Sequence, residues 1–308
     1  MTDTAAPPRP AARARRRKRL TRLTSRDKLV LGVLIGIPTL LHIALIWVPT
    51  IGSVILSFGT LGPLDNITDM KWVGLQNYEQ IFTIYPLFWP AVEHNVIWLV
   101  FFLLVPTTLG LLLAYVLDKE LKGTRIYQSL IFVPVVLSLA LVGFIWELIY
   151  NQDGLLNAVL GTDRAWLSSD GNLYLVLIAA SWRHVGYVMI LFLAGLKSVD
   201  PALREAASLD GASEWQTFRH VVFPALAPVN VVVLVVTIVE SLRAFDIVYV
   251  LNGGRNGLEL LSVLVTQNVI GEASRPGYGS ALAVILLAIS MVVILPYLYK
   301  VFRKDLTQ

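Results

Sequence analysis

Apolar residues in this chain occur in long runs, separated by short polar segments. A helix that crosses about 30 Å of hydrocarbon needs roughly 20 apolar residues, and six runs are of about that length or longer. They extend over residues 29–58, 96–117, 126–150, 173–196, 225–251 and 278–299. The pattern predicts an all-α integral membrane protein with six transmembrane helices. The first run is the longest, so we expect it to tilt, to bend at Pro38 or Pro49, or to emerge from the membrane.

Composition supports this class of protein. Hydrophobic residues make up 56% of the chain and charged residues 15%, which leaves less polar surface than a soluble domain of this size needs. The chain has no cysteine, which excludes disulfides, iron–sulfur clusters and thiolate metal sites.

Basic residues predict the orientation of the chain. Ten Lys and Arg residues lie between Arg9 and Lys28, whereas the loops after the first, third and fifth runs hold four in total. The positive-inside rule then places both termini in the cytoplasm at the plasma membrane. We expect a disordered basic tail over 1–27, a transmembrane domain over 28–304 and a short C-terminal tail over 305–308. The basic run lacks the interleaved aromatics of a nucleic-acid site, so its expected partner is anionic lipid and no nucleic acid.

A polar segment between residues 196 and 225, which we call the island, separates the fourth and fifth runs and carries helix-end signals. Asp200 before Pro201 is typical of a helix start. Gly211 predicts the left-handed residue that follows a helix C-cap, and Ser213 with Gln216 fits a capping box for a second helix. The island therefore predicts two short helices joined by a glycine elbow, parallel to the membrane surface on its cytoplasmic side.

The second short helix has an apolar stripe formed by Trp215, Phe218, Val221 and Val222, and Pro224 is expected to end it. Helices of two to three turns do not persist alone in water, so this stripe needs a surface to pack on. The charges of the island are mixed in sign, whereas a lipid-surface helix carries a basic polar face. The alternatives that remain are a partner protein and the chain's own helices, the latter making the island a purely structural elbow.

The island also resembles a known signature. The sequence EAASLDGASEWQTFRHVVFP resembles the EAA motif of the membrane-spanning subunits of binding-protein-dependent ABC importers, and the matching residues are Glu205, Ala206, Ala207, Gly211 and Pro224. Asp210 and Ala212 are similar to the carbohydrate-importer branch, as are the segments GLQNYEQIF, AFDIVYVLNGG and YGSALAVIL. Arg255 departs from the pattern, because proline usually follows the glycine pair in the family.

The resemblance implies a type I importer permease fold in which residues 198–224, the coupling loop, insert into a cleft of a cytoplasmic ATPase. Glu205 would form the polar contact, Gly211 would permit the elbow, and Ala206 and Ala207 would allow close approach. Asp210, Ala212, Trp215, Phe218 and Pro224 complete the implied contact segment. The implied partners are a second permease subunit, two ATPase subunits and an extracytoplasmic solute-binding protein. The second permease is either another copy of this chain or a homologue, and the resemblance to the sugar branch favours the homologue. ATP and Mg²⁺ would be held by the ATPases, since this chain has no Gly-Lys dipeptide and hence no P-loop.

Ionisable residues inside the predicted spans suggest a solute path. Arg183 and His184 fall near the middle of the fourth run, and Glu240, Arg243 and Asp246 recur every three residues along the fifth, which would put them on one helix face. Charges within a membrane line a pathway or pair inside the helix bundle, and both readings remain open. Trp182 has the flat face that stacks on sugars, although interfacial or buried packing is the commoner role of such residues.

Other functional classes have weaker support. The four histidines have no metal-ligand spacing and no GxSxG motif is present, so we expect neither a metal site nor an enzyme. A gradient-driven carrier or channel would use the intramembrane charges as an ion relay, but the chain lacks the repeated interrupted spans often seen in such carriers. A membrane assembly factor that transports nothing is the third alternative.

Overall fold

The computed structural model describes residues 24–62, 66–119, 122–168, 172–271 and 274–305. Most of the predicted basic tail and nearly all of the predicted C-terminal tail lie outside these residues. The chain divides into two compact units, one that ends at Ile51 and one that begins at Gly52.

The first unit is helical throughout its described part. Helix α1 (Ser25–His42) begins at Thr24, whose hydroxyl accepts from the Asp27 N–H while Asp27 accepts from the Thr24 N–H. A π-helical turn (Ile43–Trp47) follows, and helix α2 (Val48–Leu56) continues past the end of the unit. None of the residues of α1 is buried, which suits a helix surrounded by lipid.

The second unit contains a short antiparallel strand pair and fourteen further α-helices within the described residues, thirteen of them named next and the fourteenth, α12, after them. The strands are β1 (Gly59–Thr60) and β2 (Lys71–Trp72), with Gly59 opposite Trp72. The helices are α3 (Gln76–Thr83), α4 (Phe88–Leu104), α5 (Pro106–Asp118), α6 (Thr124–Val136), α7 (Leu139–Tyr150), α8 (Leu155–Leu160), α9 (Asn172–Ser198), α10 (Pro201–Leu209), α11 (Glu214–Thr217), α13 (Ala227–Leu242), α14 (Asp246–Asn252), α15 (Leu261–Ile270) and α16 (Pro276–Asp305). A π-helical turn (Phe218–Val222) and the short helix α12 (Phe223–Ala225) link α11 to α13.

Four helical segments of the described chain are long and apolar enough to cross a membrane singly. They are Ser25–Leu56, Phe88–Asp118, Asn172–Ser198 and Pro276–Tyr299, and two bent pairs, one ending in α8 and one in α14, raise the number to six. The predicted number of spans thus fits, but the third run is not one continuous helix. Leu137 adopts an extended conformation (ψ 144°) and Ser138 caps α7 by accepting from the Leu141 N–H, so the chain turns by 100° at this point.

Helix α9 forms the centre of the packed interior. Its first half packs with α4, α7 and α14 around Trp98 and Val248, and its second half packs with α5 around Ala114 and Phe192. A third cluster joins α3 and α4 to α15 and α16. Helix α9 therefore contacts α4, α7 and α14 with its first half and α5 with its second half.

A close backbone contact ties the start of α16 to β1. A Cβ atom at Gly277 would collide with the carbonyl oxygen of Gly59, so glycine is needed there. The buried Asn77 side chain donates to the carbonyl oxygens of Ser57 and Gly59, at 2.9 Å each. Within the second unit, these contacts join the segment from Ser57 to Gly59 to α3 and α16.

Candidate functional site

The first half of the coupling loop folds as its helix-end signals predict. The Asp200 carboxylate accepts from the Ala202 N–H at 2.9 Å and caps α10. Gly211 has a φ of 79°, its N–H donates to the Ser208 carbonyl, and the Ala212 N–H donates to the Ala207 carbonyl. This pair of bonds is a Schellman motif, which satisfies the last carbonyls of the helix and requires a left-handed residue.

The second half begins as predicted and ends differently. Ser213 and Gln216 form the capping box of α11. The prediction that Pro224 ends this helix is wrong, because the π-helical turn allows the Phe223 N–H to bond to the Phe218 carbonyl and the helical path continues to Ala225. The chain then bends by 72° at Leu226 into α13.

The apolar stripe of the second helix is partly buried against the chain's own helices and partly exposed at the surface. Phe218 and Val222 are buried among α5 and α9, and the Phe218 ring lies 4.7 Å from that of Tyr115. Trp215 stacks on Phe218 and stays 63% exposed, and Leu209 is 89% exposed. The chain's own helices therefore use one side of the loop, and a second apolar side remains on the surface.

The polar and small residues implied to contact a partner also lie at the surface. Glu205, Ala206, Asp210, Gly211 and Pro224 are exposed, and Ala207 and Ala212 are half-buried. Small residues beside exposed apolar ones allow another protein's backbone to approach closely.

An ion cluster that the sequence reasoning missed fastens the loop to α5. The Asp118 carboxylate, only 7% exposed, binds the Arg204 guanidinium at 2.8 Å and the Lys197 ammonium at 3.5 Å. Arg204 also donates to the Leu196 carbonyl at the end of α9. Asp118 is 86 positions away from Arg204, so no local pattern could have indicated the pair.

A second ion pair, between Lys119 and Glu214, closes the other side of the loop at 2.6 Å. Their hydrogen bond raises the pKa of Lys119 and lowers the pKa of Glu214. Both side chains are largely exposed, so the pair contributes little to stability. A cavity of about 270 Å³ lies between this pair, Tyr115 and Arg204.

Four of the ionisable residues predicted within the spans meet at one small cavity of about 30 Å³, which we call the inner pocket. Arg183 and His184 reach it from α9, Glu240 from α13 and Asp246 from α14. The expectation that Glu240, Arg243 and Asp246 share one helix face is wrong, because α13 ends at Leu242 and α14 begins at Asp246. The described residues that line this pocket include neither Arg243 nor Trp182. The Trp182 ring lies edge-on to the Trp146 ring, with centroids 6.1 Å apart.

The inner pocket combines aromatic rings with polar atoms. Trp98 and Phe102 form part of its wall, and the buried His184 ring bonds to the Thr237 hydroxyl at 3.1 Å. Within the described residues, the buried Trp98 Nε1 and Arg183 Nε atoms have no hydrogen-bond partner. Buried donors of this kind are the groups that a polar ligand satisfies.

Residues 75–308 include the coupling loop and the inner pocket. They match a protein family described as the inner membrane component of binding-protein-dependent transport systems. The chain belongs to this family. The family assignment that the EAA signature predicts is thereby confirmed, and the description makes transport dependent on a separate binding protein. The family description names its members as transport components of the inner membrane.

Individual members of the family are similar over nearly the whole chain. A probable ABC transporter permease protein of Pyrococcus horikoshii is 32% identical over 89% of this chain and 93% of its own length. The arabinooligosaccharides transport system permease protein of Bacillus subtilis is 33% identical, covering 80% of each chain. The trehalose/maltose transport system permease protein of Thermococcus litoralis is 30% identical over 89% of this chain and 95% of its own.

Solved structures show the same fold. A chain from a bacterial ABC transporter that imports the acidic polysaccharide alginate superposes with a TM-score of 0.77 at 20% identity, covering 90% of this chain and 96% of that one. The type I permease fold is thereby confirmed, and with the apolar spans it makes this family member a multi-pass membrane protein.

Proposed function

We propose that this permease is one half of the membrane channel of an ATP-driven importer of carbohydrates, working by alternating access. The observation that carries the proposal is the coupling loop, a pair of capped helices fixed to the bundle on one side and apolar on the other. ATP-driven closure of a partner would push this loop, and the attached helices would transmit the motion.

The partner that fits the loop is a cytoplasmic ATPase. Leu209 is 89% exposed and Trp215 is 63% exposed, and the exposed Glu205 lies one helical turn before Leu209. An apolar centre with a polar rim is the usual anatomy of a protein interface. Glu205, Ala206, Ala207 and Gly211 would form the contact, while ATP and Mg²⁺ would be bound by the ATPase.

The proposed assembly contains two permeases, two ATPases and an extracytoplasmic solute-binding protein. This chain supplies one permease, and a homologous chain supplies the other. The excess of basic residues in the tail and in the loops after the second and fourth runs supports cytoplasmic termini.

Carbohydrate is the proposed cargo for two reasons. Relatives and the structural neighbour are named for arabinooligosaccharide, trehalose or maltose, and alginate transport. The inner pocket places the rings of Trp98, Phe102 and Phe245 beside charged and polar side chains, and hydroxyl-rich rings need such a combination of flat apolar faces and polar groups. Its present volume of about 30 Å³ holds no more than a water molecule or two, so a solute would occupy it in another conformation.

Uptake by vesicles that contain the assembled transporter tests the proposal. Labelled maltose, trehalose, arabinobiose and alginate oligosaccharides are offered with ATP inside, alongside a panel of labelled amino acids. We expect ATP-dependent uptake of at least one saccharide, abolished by Glu205→Ala and by Gly211→Val with unchanged membrane insertion. Asp153→Ala, which removes an exposed carboxylate in the turn between α7 and α8, is the matched control and should transport normally.

Three outcomes would contradict the proposal. Normal uptake by both coupling-loop variants would remove the role of the loop. Uptake that persists without ATP when an ion gradient is imposed would favour the gradient-driven carrier. Uptake of amino acids but of none of the saccharides would overturn the cargo.

A further inference from the structure

A second and much larger cavity lies beyond the inner pocket, on the side away from the coupling loop. Helix α13 starts beside that loop at Ala227 and runs for 16 residues, about 24 Å at 1.5 Å per residue. The cavity, which we call the outer chamber, lies past its far end, between α14, the loop 253–260 and α15, and has a volume of about 940 Å³.

The outer chamber has a lining suited to a hydroxyl-rich solute. Tyr249 presents a half-exposed ring, and Arg255, Glu259, Thr266 and Gln267 line the same space. Donors, acceptors and an aromatic face are therefore all within one cavity, whose volume is in the range of known ligand sites.

Phe245 lines both cavities. It lies at the break between α13 and α14, where its φ of −144° and ψ of −61° fit neither helix. Its ring stacks on that of Tyr249 with centroids 5.0 Å apart. The Ser262 hydroxyl of α15 donates a hydrogen bond to the Ala244 carbonyl. The residue before Phe245 is therefore bonded to a different helix, α15.

We propose that the Phe245 side chain is the partition between the outer chamber and the inner pocket, and that its displacement admits a hydroxyl-rich solute from one to the other. The proposal rests on the proposed function. The Phe245 carbonyl accepts the hydrogen bond from the Tyr249 N–H that begins α14, so the backbone stays in place and the displacement is a rotation of the phenyl side chain to another rotamer. The stacked Tyr249 ring gives the displaced phenyl ring a flat neighbour on the chamber side.

Phe245 also packs against the apolar cluster around Trp98 and Val248. Its ring could therefore serve only to stabilise the fold, and the experiment must distinguish that role from a partition. The chain has no native cysteine, and single-cysteine reporters therefore have no background within it. Ala180→Cys places a thiol in the wall of the inner pocket, and Thr266→Cys places one in the outer chamber.

The experiment measures the rate at which each reporter reacts with a membrane-impermeant, positively charged methanethiosulfonate added from the chamber side. The assembled transporter is held in membranes without ATP or solute. A closed partition exposes the inner thiol only in a minor state populated at about 0.1–10%, so Phe245→Ala should speed the inner reporter at least about tenfold. The outer reporter should keep its rate, and Phe245→Tyr, which retains the ring, should keep the inner rate slow.

Two results would overturn the proposal. The inner reporter could react at the same rate with Phe245 and with Phe245→Ala, which would mean that the ring separates nothing. Both reporters could accelerate together, which would mean that the ring only stabilises the fold. Neither result depends on ATP or on the identity of the cargo, so failure here is distinguishable from failure of the uptake assay.

Discussion

Replacing Asp118 by Asn should release the coupling loop from the helix bundle. Asp118 is almost fully buried and is the common partner of Arg204 and Lys197. Asparagine has nearly the same shape and can still accept one hydrogen bond, but it lacks the charge that holds both cations. The substitution therefore tests the electrostatic anchor without creating a cavity.

The expected size of the effect follows from burial. A hydrogen bond to a charged group contributes about 1.5–3 kcal/mol. Because the Arg204 and Lys197 side chains are 37% and 47% exposed, water replaces part of the lost interaction and the lower end applies, about 1.5 kcal/mol. This corresponds to about a tenfold increase in the population of the detached loop.

Hydrogen–deuterium exchange of the Gly211 and Ala212 amides is the direct assay, because both donate to carbonyls of α10. Their exchange should accelerate about tenfold in Asp118→Asn. The assay is made on the full-length chain in lipid nanodiscs, where the surrounding helices remain folded.

Lys119→Ala is the matched control, since it removes the neighbouring ion pair to Glu214, which is exposed on both sides. An exposed pair contributes little to stability, so exchange should change little. The pair's contribution is complete between the usual pKa of Glu214, 4.5, and that of Lys119, 10.5. It is lost only as the pH falls through the lowered pKa of Glu214 or rises through the raised pKa of Lys119, so at pH 7 the control pair is intact. Equal exchange in Asp118→Asn and in the unchanged chain would refute the anchor.

Three further predictions concern single positions. Gly211→Val places a β-branched residue at a φ of 79° and should cost about 1–3 kcal/mol locally, seen as faster amide exchange at the end of α10, with Gly211→Asn milder. Gly277→Ala drives a methyl group into the Gly59 carbonyl and should lower the thermal unfolding midpoint, at a cost of about 1–3 kcal/mol or more. Asn157→Leu removes a buried side chain that bonds to Thr162, Trp166 and the Arg164 backbone, so tryptic cleavage after Arg164 should accelerate. An unchanged exchange rate, unfolding midpoint or cleavage rate would contradict the respective prediction.

Local signals in the sequence were enough to predict much of the coupling loop. The Asp200 cap, the left-handed Gly211 and the Ser213 capping box depend on side-chain to backbone bonds within a few residues, and the structure has all three. The apolar runs likewise predicted six spans, because length and composition alone decide whether a segment can cross a bilayer.

The breaks and the anchor depend on distant parts of the chain and were not predictable in this way. The end of α13 at Leu242 is accompanied by the bond from Ser262 to the Ala244 carbonyl, and Asp118 meets Arg204 only after α5 and α9 have packed together. Four pathway candidates meet at the inner pocket, although the helix-face argument for two of them, Glu240 and Asp246, is wrong. They converge because α9, α13 and α14 surround one space.

Cross-linking from the coupling loop tests the central claim most directly. Leu209→Cys introduces the only thiol of the chain at a position that is 89% exposed, and Val159→Cys in α8, outside the coupling loop, provides a control thiol at a position that is 74% exposed. In cells expressing the whole transporter, a short bifunctional thiol reagent should join Leu209→Cys, but not Val159→Cys, to a subunit that is labelled by an azido-ATP probe. Leu209→Cys that never cross-links to an ATP-binding subunit, while ATP-dependent uptake continues, would contradict the account.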